Sequence, residues 1–524
     1  MKRMPNIFSS LVVTGILCTA QSCTKTEVPV YDQVSNFYRT PDEIAAAIGS
    51  VYAGLRNLGP GYSAIYELNE LCTDEIIVPV RGNNFQDPGW GQMWKQNWDA
   101  THPTIETAWQ NIFSAISNIN SVLASIDSLR PAPTGISYMN AELKTIRAFY
   151  YYEAIDLFGN VPVYENNNVA LSSLANQSRS VVFDFIENEL KNSLPDLTAE
   201  VSSSTYGYAT KWLAFSILAK LYLNAELYTG SNRWADCVSV CDSILQSNLF
   251  SLEGNFFDNF QIENQNSKET IFAIPFDYAG GLGDFFIQGA TLHYNSYLSF
   301  DLGGTSGLTN GFCSTQVYLD NFSENDYRKK MFLTGQQYVG ETQYIDTVPV
   351  PAIMVYTVGP PVIPLIFNPV ITSFVLQDPE TEGAGARCAK WEFNKQTQGK
   401  MSNDYQLFRL ADIILMKTEA QVNLGDFGNA LLTVNKTYGS ASIRSRAKMP
   451  DFTMADLTAD SILAERAREL SWEGWRRNDM IRLGHFTDAR IPEKIITDDY
   501  RKLFPIPQVE LQKNSNLKQN TGYQ

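Results

Sequence analysis

The sequence predicts a mainly α protein: a tetratricopeptide-like scaffold of helix pairs carrying a large, irregular, loop-rich region with short strands. Apolar residues recur at three- and four-residue intervals from about residue 41 to 250 and again after about residue 401, the spacing of one helix face. The phrase "EAQVNLGDFGNALLTVN" sets Ala420 and Ala430 on either side of Leu424-Gly425-Asp426-Phe427. Small alanines let antiparallel helices approach, and the glycine ends the first of them, as in a tetratricopeptide unit. Between these zones, residues 251–400 hold "AGGLGDFF", "DLGGTSGLTNG", "VGPPVIPLIFNP" and "DPETEGAGA", turn-forming runs that interrupt regular structure.

The chain opens on "MKRMPNIFSSLVVTGILCTAQSC": a basic start, an apolar run from Leu11 to Leu17, then small polar residues. This reads as a signal peptide over residues 1–22, too short to span a bilayer. It ends at "AQSC", which resembles a bacterial lipoprotein cleavage box and makes Cys23 the expected lipid attachment site. The alternative is an ordinary secretory signal followed by a free Cys23. Residues 23–40 are then a lipid-anchored linker and residues 41–524 a single domain, helical over 41–250, loop-rich over 251–400, and helical with an extended tail over 401–524.

Within that domain, "PDEIAAAIGSVYAGLRNL" starts on Pro41 and acids and repeats apolar residues at Ile44, Ile48, Val51, Tyr52 and Leu55, a helix with a marked N-terminus. "TIETAWQNIFSAISNINSVLASID" and "AELKTIRAFYYYEAIDLFG" follow, the second closed by Gly159; then come "VVFDFIENELKNSL", "ATKWLAFSILAKLYLNAEL" and "WADCVSVCDSILQS". The last two form a looser helix pair, with Ala219, Tyr222, Gly230 and Ala235 in the characteristic places. A generic helical hairpin explains either pair equally well, and two together favour repeats. In the loop-rich zone, "TIFAIPF" and "AIMVYTV" are the β-prone runs.

The 524 residues carry a formal net charge of −16, with 44% apolar and 18% charged residues. These are globular values, and the acidic balance argues against nucleic acid, whose phosphates need a basic surface. Cys72, Cys237, Cys241, Cys313 and Cys388 include no CxxC pair, and Cys237 and Cys241, four apart, read as small core residues. His102, His293 and His485 are far apart, so no metal site is predicted. No cofactor is predicted either: "GGLGDFF" lacks the Lys-Ser/Thr of a P-loop, and there is no G-x-S-x-G elbow.

The most charged stretch, "LAERARELSWEGWRRNDMIRLG", puts Glu465, Glu469 and Glu473 four apart with Arg468, Arg476 and Arg477 three or four positions from one of them. Read as one helix, it offers a carboxylate stripe facing one way. A glycosidase pair must flank the scissile bond, and arginines favour the ionised form where a general acid needs the neutral one. Ion pairing that fixes the helix is the favoured reading.

A sugar shows an apolar C–H face and a rim of hydroxyls, so its site needs exposed flat aromatics and planar polar groups. "CTDEIIVPVRGNNFQDPGWGQMWKQNW" supplies Asp74, Arg81, Asn83, Asn84, Trp90, Trp94 and Trp98, with three of the nine tryptophans in a stretch that does not read as helix. Each tryptophan has a second reading as core. Trp94 and Trp98, four apart, would share a helix stripe, and Trp98 leans that way.

Six phrases in order resemble one family: "SNFYRTPDEIAAAIGSVYAGL", "WQNIFSAISNINSVL", "ELKTIRAFYYYEAIDLFGNVPV", "LFRLADIILMKTEAQVNLGDFGNALLTVN", "ILAERARELSWEGWRRNDMIRLG" and "LFPIPQVELQKNSNLKQNTGY". The chain is similar to the SusD/RagB nutrient-uptake outer-membrane lipoproteins of Bacteroidetes-type bacteria. The resemblance implies a binding lipoprotein without enzymatic activity, anchored at the outer membrane and facing outward. It would capture oligosaccharides or polysaccharide and deliver them to a partner TonB-dependent SusC-like outer-membrane transporter. It also implies ligand contacts from the segment after the "TIFAIPF" strand, which by position are Tyr278, Tyr294 and Tyr297, with His293 a weaker neighbour. Two other readings stay open: an oligopeptide-uptake variant of the same family, and, less favoured, a glycoside hydrolase.

Overall fold

A computed structural model describes residues 40–340, 353–357 and 361–523. The signal peptide and Cys23 lie outside the described residues. Helix α1 (Pro41–Gly54) begins where the sequence marks it: Thr40 and Glu43 form a reciprocal capping box, and Ile44, Ala47, Ile48 and Val51 are buried. Helix α2 (Ala64–Glu70) is short and wholly buried. Helix α3 (Pro88–Lys95) occupies the stretch read as irregular, with Asp87 capping the Gly89 amide and Pro88 in the first turn. The long helices α4 (Pro103–Ser128) and α5 (Ile136–Phe158) follow, and Gly159 ends α5.

Helices α6 (Arg179–Ser193), α7 (Lys211–Leu223), α8 (Ala225–Thr229) and α9 (Trp234–Leu245) continue the frame. From α4 to α8, neighbours in sequence pack side by side; α9 packs back on α7 and then receives α10 (Leu410–Asn423), which pairs with α11 (Phe427–Asn435). The α10–α11 turn is the predicted one: Gly425 is left-handed and both Ala420 and Ala430 are fully buried. In the looser pair, Ala219 is buried but Ala235 is exposed. Cys237 and Cys241 fill the close approach instead, the Cys237 thiol donating to the Ala219 carbonyl at 3.5 Å.

The loop-rich region is an excursion from this frame with a defined exit and return. Strand β1 (Thr270–Ile274) pairs antiparallel with β2 (Tyr405–Arg409), and β2 runs directly into α10. Ile274 and Tyr405 are register partners, so the chain leaves the frame and re-enters it side by side. The "AIMVYTV" run forms only isolated bridges at Met354 and Tyr356 among the described residues. The tail carries a short helix, Gln508–Lys513, within otherwise extended chain.

The charged stretch is two helices, α12 (Ala459–Leu470) and α13 (Arg476–Arg482), not one. Trp472 (φ 61°) and Gly474 (φ 83°) are left-handed and turn the chain between them. Only glycine fits at 474, where a Cβ would also meet the Tyr405 hydroxyl at 2.9 Å. Trp472 is held by its own hydrogen bonds, backbone to Glu75 at 2.7 Å and indole to Ser314 at 3.0 Å.

Pairing along the stripe is correspondingly rare. Arg468 does reach Glu465 at 2.6 Å, but Arg476 goes to Asp74 and Arg477 to Asp156, each at 2.7 Å. Glu469 instead meets Arg328, Arg409 and Arg446, three guanidiniums brought from the loop-rich region, β2 and the segment after α11. On the opposite side Arg466 bonds Asp412 of α10 at 2.9 Å. Helix α12 is therefore a clamp between frame and loops. Its Glu465 and Glu469 are fully buried, so neither can meet a substrate.

Candidate functional site

The predicted site residues fall into two groups. Asp74, Arg81, Trp94 and Trp98 are structural. Asp74 grips Arg476 with both oxygens at 2.7 Å. Arg81, 3% exposed, donates to the carbonyls of Glu382 and Ala384 at 2.6 and 2.7 Å. Trp94 donates to the Pro492 carbonyl at 2.6 Å under Arg490, and Trp98 donates to the Tyr523 hydroxyl at 2.7 Å and packs on Phe504. Both indoles are 1% exposed, so neither has a free face on which a sugar could stack. This corrects the expectation for these four.

Asn84 and Tyr294 are brought together: the Asn84 amide donates to the Tyr294 hydroxyl at 2.7 Å. The Asn84 side is a tight turn in which Arg81 and Asn84 exchange backbone hydrogen bonds of 3.0 and 2.8 Å, with Gly82 left-handed. The turn is tied down because Val80 and Arg81 pair in parallel with Val375 and Leu376. The Tyr294 side sits between two one-turn helices, Ile287–Thr291 and Ser296–Phe300. Below it the buried His293 ring accepts the Asn295 amide at 3.1 Å. Burial lowers the pKa of that imidazole.

The aromatic surface continues from there through residues the sequence reading missed. Trp90 is half-buried, with Tyr62 and Phe85 edge-on to it, each at 5.9 Å between centroids, and Phe312 behind it. Trp90 thus works as a wedge that holds Tyr62 and Phe85 in place. Tyr62 is 38% exposed and its hydroxyl bonds Thr309 at 2.7 Å. At the other end the Asn295 amide donates to the carbonyl of Tyr356, itself 40% exposed. One continuous face results: Tyr62, Phe85, Asn84, Tyr294, Asn295 and Tyr356. "GPGYSA" and "GNNFQDPG" carry the same glycine and proline punctuation that singled out Trp90, and that signal would have found Tyr62 and Phe85.

Tyr297 is half-buried against Leu292, Phe300 and Phe393 and supports the second one-turn helix. Tyr278 is 40% exposed but lies on a separate turn, with Lys400 over its ring at 4.4 Å. A cavity of 1510 Å³ opens elsewhere, between α1, the 128–139 loop and the 204–208 turn. Its central carboxyl, Glu142, is already bonded by the Tyr52 hydroxyl at 2.9 Å. The open aromatic–amide face is the better match to a polymer, which must pass across a site at mid-chain.

A tetratricopeptide-like frame that projects a loop-built face from one paired exit and return defines the class of protein. The SusD family model matches residues 380–523, and a second model, described as starch-binding associating with outer membrane, matches residues 42–223. The chain belongs to the SusD family. It is 24% identical over 502 residues to the starch-binding protein SusD of Bacteroides thetaiotaomicron, covering 88% of this chain and 86% of that protein. Its fold is that of a laminarin-binding SusD-like protein (TM-score 0.71, 19% identity, 93% of this chain and 100% of the other). It is also that of surface glycan-binding protein A from Bacteroides thetaiotaomicron, solved with laminarihexaose (TM-score 0.68, 16% identity, 92% and 99%).

Proposed function

We propose that this protein is a cell-surface carbohydrate-binding lipoprotein that captures a glycan on the Tyr62–Phe85–Asn84–Tyr294 face and passes it to a partner TonB-dependent outer-membrane transporter. The observation that carries the binding reading is the contiguity of that face. The exposed Tyr62 ring and the half-buried Phe85 ring are held by Trp90, with the Asn84 amide next along the chain, as the apolar face and hydroxyl rim of a pyranose require. The names of its relatives, starch-binding and laminarin-binding among them, support the same ligand class. Signal cleavage before Cys23 and acylation of its thiol supply the anchor, and residues 41–524 act as one ligand-binding unit. The protein binds and does not catalyse: the carboxylates that could imitate a glycosidase pair are locked in the α12 clamp.

Affinity electrophoresis of the full chain in gels containing amylopectin or laminarin tests the binding. Retardation that is lost in Tyr62→Ala and Tyr294→Ala supports the face. Co-purification of a TonB-dependent transporter from the native outer membrane tests the delivery. A tagged chain that comes out of detergent extracts alone would argue against it.

A further inference from the structure

The residues of the face lie within three stretches of sequence, 57–94, 269–327 and 331–386, in which Arg81 is the one Lys or Arg. Arg81 is 3% exposed, and Arg387, next along the chain, is fully buried. Both guanidiniums point inward: Arg81 holds the carbonyls of Glu382 and Ala384, and Arg387 holds those of Ala384 and Gly385. In the same stretches Asp87, Asp378 and Glu380 are exposed, and Glu382 is half-exposed beside Tyr294.

Recognition of a sulfate ester or a uronate calls for an exposed cation, usually a forked guanidinium, and an acidic rim repels such a ligand. The groups that the face does offer are uncharged: phenol hydroxyls, the carboxamides of Asn84 and Asn295, and ring faces. From this juxtaposition we infer that the face selects neutral glycans and rejects polyanionic ones. The inference rests on the proposed carbohydrate-binding reading and narrows its substrate class. Burial, not sequence, keeps these two cations out of the site, since Arg81 and Arg387 are buried with their terminal NH groups bonded to backbone carbonyls.

The test is calorimetry and affinity electrophoresis of the full chain with neutral polymers (amylopectin, laminarin, xyloglucan, galactomannan) and polyanionic ones (carrageenan, alginate, polygalacturonate). Each is run at about 0.05 and about 0.5 M NaCl, a range that screens surface charge. At least one neutral polymer should bind about tenfold or more tighter than any polyanion, with less than about a twofold response to salt. That binding should disappear in Tyr294→Ala and in Tyr62→Ala. Tightest binding to a polyanion, weakened by salt and lost in the same variants, overturns the neutral selectivity while leaving the carbohydrate face intact. No binding to any polymer, or binding untouched in both variants, overturns the face itself and the inference with it.

Discussion

Asn84 donates a hydrogen bond of 2.7 Å to the hydroxyl of Tyr294, a residue 210 positions away in sequence. That contact joins the tight turn after Val80 to the one-turn helices that follow β1, and so sets the amide and the phenol on one surface. Tyr62 and Phe85 extend it on the Trp90 wedge.

Aromatics of the face and of the core are expected to separate cleanly under mutation. Tyr62→Ala and Phe85→Ala should each weaken glycan affinity by about 1–3 kcal/mol, the worth of one stacked ring, with melting temperatures close to wild type. Trp94→Ala and Trp98→Ala should cost about 3–5 kcal/mol of stability, since each removes a fully packed core side chain. Thermal melts and calorimetric titrations on the same samples check both halves.

Glu469→Gln should destabilise by about 3–5 kcal/mol, because it removes the one carboxylate shared by the buried Arg328, Arg409 and Arg446 and leaves their remaining partners to carry the charge. Chemical denaturation measures this. A variant as stable as wild type contradicts the clamp.

The clamp also fixes an acid limb of stability. Burial alone would raise the Glu465 carboxyl, but Arg328, Arg468 and Arg444 overturn that and hold it at about 2. A folded-state value below the unfolded one gives stability that is present above the unfolded pKa and is lost as pH falls through the folded one. Melting temperature should therefore drop progressively from about pH 4.5 to 2. In Glu465→Gln the starting stability is lower and this limb is shallower.

An opposite limb comes from Glu153. Burial first, and Asp156 next, push it up to about 8, and it accepts the Asn69 amide at 3.2 Å. A carboxyl with a raised folded value gives stability that is complete below the unfolded pKa and is lost as pH rises towards the folded one. Glu153→Gln, which mimics the neutral acid, should melt above wild type at pH 8 and match it near pH 4. Equal melts across that range contradict the assignment.

Cys23→Ser should abolish acyl labelling and release the chain from the outer membrane, while glycan affinity in solution stays unchanged. Labelling that survives in Cys23→Ser moves the anchor elsewhere.

Much of the frame was legible in the sequence because its signals are local. Capping residues at Thr40 and Glu43, the stop at Gly159 and the Ala420–Gly425–Ala430 turn each act within a few residues. Helix α3 was misread although Asp87 and Pro88 mark a helix start, because the glycines beside Trp90 suggested a loop. The break at Trp472 was hidden since the Glu465–Glu469–Glu473 spacing runs straight through it, with Gly474 the one local sign. The partners of Glu469 come from Arg328, Arg409 and Arg446, and no pattern in the helix itself announces them. The site was half legible for the same reason. A tryptophan reads alike whether it stacks on a ligand or on Phe504, and only packing tells Trp98 from Tyr62.

The most direct test of the carbohydrate-binding face is calorimetric titration of the Tyr62→Ala/Tyr294→Ala double variant beside wild type, using the neutral glucan that wild type binds best. The double variant should be folded, with circular dichroism and melting temperature near wild type, and should give no measurable heat of glycan binding. A folded double variant that binds with wild-type affinity would contradict the assignment of this face.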